Sequence, residues 1–155
     1  MIKGADNLMS NLLKYNSELM REYNYAKNTE LCLDEITVGS NKKIWWRCSL
    51  GHEWESTIGN RSKGSGCPYC SNYKALVGYN DLATVNSELS SEWDYDKNGA
   101  LKPTDVTAGS HKKVWWKCQN GHEWQAIIGS RNQGRGCQQC TREKRRTIRG
   151  DPNSV

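Results

Sequence analysis

Cys48-Ser49-Leu50-Gly51-His52, followed after 14 residues by Cys67-Pro68-Tyr69-Cys70, decides how this chain folds. A Cys-x3-His pair and a Cys-x2-Cys pair together offer three thiolates and one imidazole. That is the donor set of four-coordinate, structural zinc. Two close pairs separated by a longer excursion let two chain elements grip one ion. The pattern returns 70 residues later, with identical spacing, as Cys118, His122, Cys137 and Cys140. Every cysteine except Cys32 belongs to it. Plain buried thiols, disulfides or an iron–sulfur cluster are the competing readings, and Cys3His at this spacing favours zinc. Each set is full, whereas a catalytic zinc keeps an open position, so zinc hydrolysis is not expected.

Working outward, the ligands sit inside a longer repeat. Asn16-Ser17-Glu18-Leu19 returns as Asn86-Ser87-Glu88-Leu89, and Lys27-Asn28 as Lys97-Asn98. Lys42-Lys43-Ile44-Trp45-Trp46-Arg47 returns as Lys112-Lys113-Val114-Trp115-Trp116-Lys117, and Gly51-His52-Glu53-Trp54 as Gly121-His122-Glu123-Trp124. No gap is needed between residues 16 and 70, and about half the positions are identical. This divides the chain into a first module with its linker (1–79), a second module (80–140) and a basic tail (141–155), read as a flexible solvated arm. Modules this small bury too little surface to be stable by a hydrophobic core alone, so a metal staple is expected on physical grounds.

Short-range patterning places the ligands. Lys43 to Arg47 and Glu53 to Ile58 are Trp- and Ile-bearing runs around a turn containing Gly51, which reads as a hairpin with Cys48 and His52 at its knuckle. Cys67-Pro68-Tyr69-Cys70 reads as a turn leading into a short helix, with Pro at an early position. Gln138-Gln139 at the same place in the second copy is expected to loosen that helix start. Upstream, Leu12, Leu13, Leu19, Met20 and Tyr23 suggest a helix with an apolar stripe, matched by Leu82, Ala83, Leu89 and Trp93, packed on the hairpin.

The run 39–48 with Gly51-His52-Glu53-Trp54, Arg61 and Gly64-Ser65-Gly66-Cys67-Pro68-Tyr69-Cys70 resembles the zinc-ribbon repeat of bacterial and phage proteins, a treble-clef-like zinc finger. Glu88 to Asn98, with Trp93, resembles the N-terminal half of the same repeat. The resemblance covers nearly all of the chain but the tail. It implies a small α+β fold of tandem zinc-stabilised fingers, a hairpin knuckle plus short helix in each, with an upstream helix. It also implies two structural zinc ions and, by association with nuclease-type partners, work on nucleic acid.

Composition sets the limits. The 155 residues are 35% apolar and 25% charged, with seven Trp, seven Tyr and no Phe. This is a globular composition, with no run long enough to span a membrane and no apolar signal core at the N-terminus. A cytoplasmic location is expected, where thiols stay reduced. The formal charge is +5, but six ligand thiolates outweigh two divalent cations and lower it. The tail alone carries five basic and two acidic residues. Nucleic-acid contacts are therefore expected from local patches: Lys42, Lys43, Arg47, Arg61 and Lys63 in the first copy; Lys112, Lys113, Lys117, Arg131 and Arg135 in the second; Arg142, Lys144, Arg145 and Arg146 in the tail. Arg61 and Arg131 have an equal alternative, an internal role bridging loop carbonyls or a carboxylate. The Trp residues read mainly as core, with one of each adjacent pair facing outward.

Three functional classes follow. The first is a non-catalytic zinc-finger protein that binds DNA or RNA. The second is a protein–protein interaction adaptor. The third is a treble-clef nuclease, which needs a histidine base beside a catalytic metal. His52 and His122 are committed to zinc, and His111 stands where the first copy has Asn41, so no catalytic residue is assigned. Cys32 reads as a spare thiol.

Overall fold

The computed structural model describes residues 13–149. Leu12 and residues 150–155 of the tail lie outside them. The chain forms two units, Met1–Ser71 and Asn72–Val155, each built the same way.

In the first unit the upstream segment is not one helix. A 3-10 turn, Leu13–Tyr15, is followed by α1, Ser17–Arg21. Asn16 breaks the run because its side chain accepts the Leu19 N–H at 2.9 Å, an N-cap that starts a new helix. The second unit repeats this with α3, Leu82–Val85, and α4, Ser87–Ser91, the latter capped by Asn86. The repeated Asn-Ser-Glu-Leu is therefore a helix-start signal, and the expected continuous stripe is cut by it.

The hairpins form as expected. β1 (Lys43–Arg47) pairs antiparallel with β2 (Glu53–Thr57), and β3 (Lys113–Lys117) with β4 (Glu123–Ile127). Alternation along each first strand sends Ile44 and Trp46, or Val114 and Trp116, inward. Trp46 and Trp116 are completely buried. Their indole N–H groups donate to the Ser56 and Ala126 carbonyls at 3.0 and 3.1 Å. Such satisfaction is what lets a Trp sit in a core.

The segment after α1 covers the free edge of the hairpin. Arg47 N–H donates to the Glu22 carbonyl at 2.7 Å, and Tyr23 bridges to Trp46. The Asn28 side chain then takes the place of a backbone partner, accepting from Trp45 N–H at 2.9 Å and donating to Trp45 O at 2.8 Å. In the second unit Trp93 bridges to Trp116, Lys117 donates to Glu92 O at 2.7 Å, and Asn98 holds Trp115 in the same two-pronged way. α5 (Tyr95–Asn98) lies between these contacts.

Each hairpin runs into a helical turn, α2 (Ile58–Ser62) or α6 (Ile128–Asn132), whose Ile is fully buried. Gly59 suits the close approach there: a Cβ would stand 3.1 Å from the Gly39 carbonyl oxygen, tighter than ordinary contact. The two copies diverge after the third ligand. Residues 67–70 form turns without a helix, whereas α7, Gln138–Ile148, is an 11-residue helix. Both expectations for this region are reversed. The copy with Pro68-Tyr69 has no helix, because Asn72, two residues after Cys70, turns to φ +57°, a left-handed conformation that a helix cannot continue through; the copy with Gln138-Gln139 has the long one. Thr141 to Ile148 supplies eight helix-compatible residues, so this stretch of the expected flexible arm is helical. Among the described residues, no helix is long and apolar enough to cross a membrane.

Candidate metal centres

Each centre is assembled from a knuckle and a loop. After β1, Cys48 N–H donates to His52 O at 3.1 Å and Gly51 N–H to Cys48 O at 2.9 Å. The turn closes because Gly51 takes φ +83°, and Gly121 takes +79° in the second copy. Cys48 and His52 are thereby brought to the same side. Cys67 and Cys70 come from the turn at 67–70. In the second unit Cys137 caps α7, its sulfur accepting the Cys140 N–H at 3.5 Å.

The donor atoms of Cys48, His52, Cys67 and Cys70 all lie within 4.8 Å of one another, as do those of Cys118, His122, Cys137 and Cys140. In the first centre Cys48 Sγ stands 3.8 Å from Cys70 Sγ, and His52 Nδ1 is 3.6, 3.7 and 3.3 Å from the sulfurs of Cys48, Cys67 and Cys70. The second gives 3.6 Å for Cys118–Cys140 and 3.6, 3.6 and 3.2 Å around His122 Nδ1. Tetrahedral zinc at about 2.3 Å from sulfur and about 2.0 Å from nitrogen sets its ligands about 3.8 Å apart for two sulfurs and about 3.5 Å for sulfur and nitrogen. The residues fit zinc at both places.

The thiols also need a cation. Burial pushes Cys70 up to about 11, helped by the adjoining Cys67 and Cys48 thiols. Cys140 is raised to about 11 in the same way, by burial and then by Cys118 and Cys137. Burial opposes ionisation of Cys48 too, but the backbone N–H groups of His52 and Leu50 outweigh it and the thiol falls below its ordinary value. Three sulfurs at this spacing cannot all ionise without a divalent charge between them. Zinc bound by these four donors would supply that charge and, with every position filled by the protein, would contribute folding free energy. The centres differ in support. His122 Nε2 faces Glu143 Oε1 of α7 at 3.3 Å, the carboxylate–histidine arrangement that orients a metal-binding ring. In the first centre His52 meets Tyr69 edge-on at 5.8 Å.

The family described as "Probable Treble clef zinc finger domain" matches residues 19–73 and 89–143. The chain belongs to this treble clef zinc finger family. The two matched copies contain one ligand set each, so its members' fold is repeated here in tandem. The chain is also similar to the SPbeta prophage-derived uncharacterized protein YomD of Bacillus subtilis (strain 168), at 27% identity over 127 residues. That match covers 79% of this chain and 43% of the relative, so the chain spans less than half of the relative's length.

The other sequence-predicted residues fall into two groups. Arg61 and Arg131 are buried, at 9% and 8% exposure, and their role is internal. Arg61 pairs with Glu22 and donates to the Ser65 carbonyl; Arg131 pairs with Glu92 and donates to Arg135 O. Each guanidinium lies over two indoles, Arg61 over Trp46 and Trp54, and Arg131 over Trp116 and Trp124 at 5.2 and 5.1 Å. With the guanidinium so enclosed, the phosphate-contact reading of Arg61 and Arg131 is withdrawn. Lys42, Lys43, Arg47, Lys63, Lys112, Lys113, Lys117, Arg135, Arg142, Lys144, Arg145 and Arg146 are all exposed. Lys117 also pairs with Glu123 at 3.3 Å.

The outward Trp of each pair is not a bare platform. Lys27 lies over Trp45 at 4.0 Å and Lys97 over Trp115 at 4.4 Å. The same lysines pair with Glu53 and Glu123, which holds both carboxyls below the usual carboxylate range. Sequence reading singled out neither Lys27 nor Lys97 for this, although their recurrence 70 residues apart was the available signal. Cys32 is exposed and lies outside both centres.

Proposed function

We propose that this chain is a non-catalytic, tandem zinc-finger protein that binds nucleic acid. One observation carries the reading. On α7 and its C-terminal cap, Arg142, Arg145, Arg146 and Arg149 recur at the i, i+3, i+4, i+7 spacing of a single helix face. At about 100° per residue they share an arc of about 100°. All four are exposed, and no residue of α7 is buried in the core. A free helix face of four guanidinium groups, rooted on a zinc centre, suits a row of phosphates. Glu143 sits off that face and turns to His122, so the anchor and the contact surface use different residues of one helix. The exposed lysines of the hairpins, Lys42, Lys43, Lys112 and Lys113, extend the basic surface of each unit. The prophage origin of the similar protein supports a phage or bacterial setting. Both ligand sets are closed, which supports a binding role without catalysis.

Fluorescence anisotropy of the zinc-loaded chain with DNA and RNA across a salt series tests this. Logarithmic affinity falls with logarithmic salt concentration by about 0.7–0.9 for each phosphate neutralised. Replacing Arg142, Arg145, Arg146 and Arg149 by Gln lowers that slope by about 3 while zinc content stays unchanged. Absence of binding at low salt, or an unchanged slope in the variant, refutes the proposal and leaves a protein partner as the reading to pursue.

A further inference from the structure

We infer that a groove beside the second zinc centre holds one unstacked nucleobase on Trp124, an inference that rests on the nucleic-acid reading above. The two units differ here in a way their shared ancestry does not require. In the first, Pro68 and Tyr69 follow Cys67; Tyr69 packs against the apolar cluster and meets the His52 ring, and Trp54 is only 5% exposed. In the second, Gln138 and Gln139 occupy those positions, both exposed, and the equivalent Trp124 is only half-buried. Here lies a groove of about 280 Å³ lined by Trp124, Gln125, Gln138, Gln139, Arg142 and Glu123, with the ligands His122 and Cys137 also in its wall.

The lining chemistry selects the occupant. Trp124 supplies an aromatic surface, and the Arg131 guanidinium over its ring polarises it. Unlike Trp45 and Trp115, it carries no lysine over it among the described contacts. Three primary amides offer donors and acceptors together, which suits the mixed edge of a base. The Glu123 carboxylate, paired with Lys97 and Lys117, stands in the lining and disfavours a phosphate inside the groove. Arg142 belongs both to this lining and to the arginine face of α7, so a strand whose phosphates follow the helix would bring a base to the groove. A base paired in a duplex has both faces stacked and cannot enter, so the ligand is single-stranded or looped nucleic acid.

The test uses the zinc-loaded full chain with a mixed-sequence single-stranded oligonucleotide and its duplex. Wild type is compared with Trp124→Leu and with the double variant Gln138→Pro, Gln139→Tyr. The double variant closes the groove with the residues the first unit already carries in the same loop, and Pro suits the first position of a helix. Expected are a single-strand preference in wild type and a loss of about tenfold or more in single-strand affinity in both variants, since one stacked base contributes that much. Zinc content and the salt slope stay unchanged. Should Trp124→Leu lose zinc, the double variant alone decides. Wild-type single-strand affinity in the double variant, or equal affinity of wild type for both forms, overturns the base site and leaves the phosphate-binding proposal standing. If wild type binds neither form at low salt, the nucleic-acid reading fails and the base site fails with it.

Discussion

Replacing Arg131 by Met separates a structural arginine from a phosphate-binding one. Met keeps much of the volume and apolar stem but removes the charge and every donor. Arg131 is 8% exposed, while the side chain of its partner Glu92 is 31% exposed. Breaking a buried ion pair by removing one member costs about 3–5 kcal/mol. Solvent reaches Glu92 and relieves part of its stranded charge, which brings the expected cost to about 2–3 kcal/mol. Loss of the Arg135 carbonyl's partner and of two cation–π contacts keeps it from falling lower. In a unit of this size 1 kcal/mol moves the melting midpoint by about 4–8 °C, so the transition of the second unit drops by about 10–20 °C. Calorimetry of the zinc-loaded protein, with the first unit's transition as internal reference, measures it. The salt dependence of nucleic-acid binding, taken below the new midpoint, stays that of wild type. A stability change under about 0.5 kcal/mol together with a shallower salt slope would refute the internal assignment and return Arg131 to the contact surface.

Two further outcomes are expected. Cys118→Ala removes one ligand of a four-donor set and leaves Cys140 without the charge it needs; zinc measured by mass spectrometry falls from about two per chain to about one, and the second unit loses its cooperative transition while the first keeps its own. An unchanged melting profile would contradict a structural metal. Asp81 is fully buried and caps α3, accepting Thr84 N–H at 3.0 Å and Gly78 N–H at 2.8 Å. Desolvation raises its pKa, but these hydrogen bonds outweigh it and the net shift is downward. A depressed carboxyl contributes stability above its unfolded value, near pH 4, and loses it as pH falls through the lower folded value. Asp81→Asn therefore costs about 1–2 kcal/mol at neutral pH and flattens the acid limb of the stability curve; a variant whose acid limb follows wild type would disprove the assignment.

What the sequence determined by itself was set by local spacing. Cys-x3-His and Cys-x2-Cys can close on one ion only through a knuckle and a turn, so ligand identity, hairpin position and the two-copy plan follow from linear distance. Alternation likewise required one Trp of each adjacent pair to face inward and one outward; the structure made Trp46 the inward one. The Asn16 and Asn86 caps were present in the sequence too, but they compete with the apolar stripe for the same residues, and the hydrogen bond at 2.9 Å wins. Tertiary structure alone decided the rest. Arg61 and Arg131 carry the same side chain as the exposed arginines of α7; only the carboxylates delivered by Glu22 and Glu92, 39 residues away, and the enclosing indoles make them internal. Lys27 and Lys97 cover Trp45 and Trp115 because the upstream segment pairs with the hairpin edge, a long-range contact that no spacing rule reveals. The groove beside Trp124 is lined by Gln139, where the first unit has Tyr69 packed against its core. Whether that change leaves a filled core or an open platform depends on how side chains pack in three dimensions.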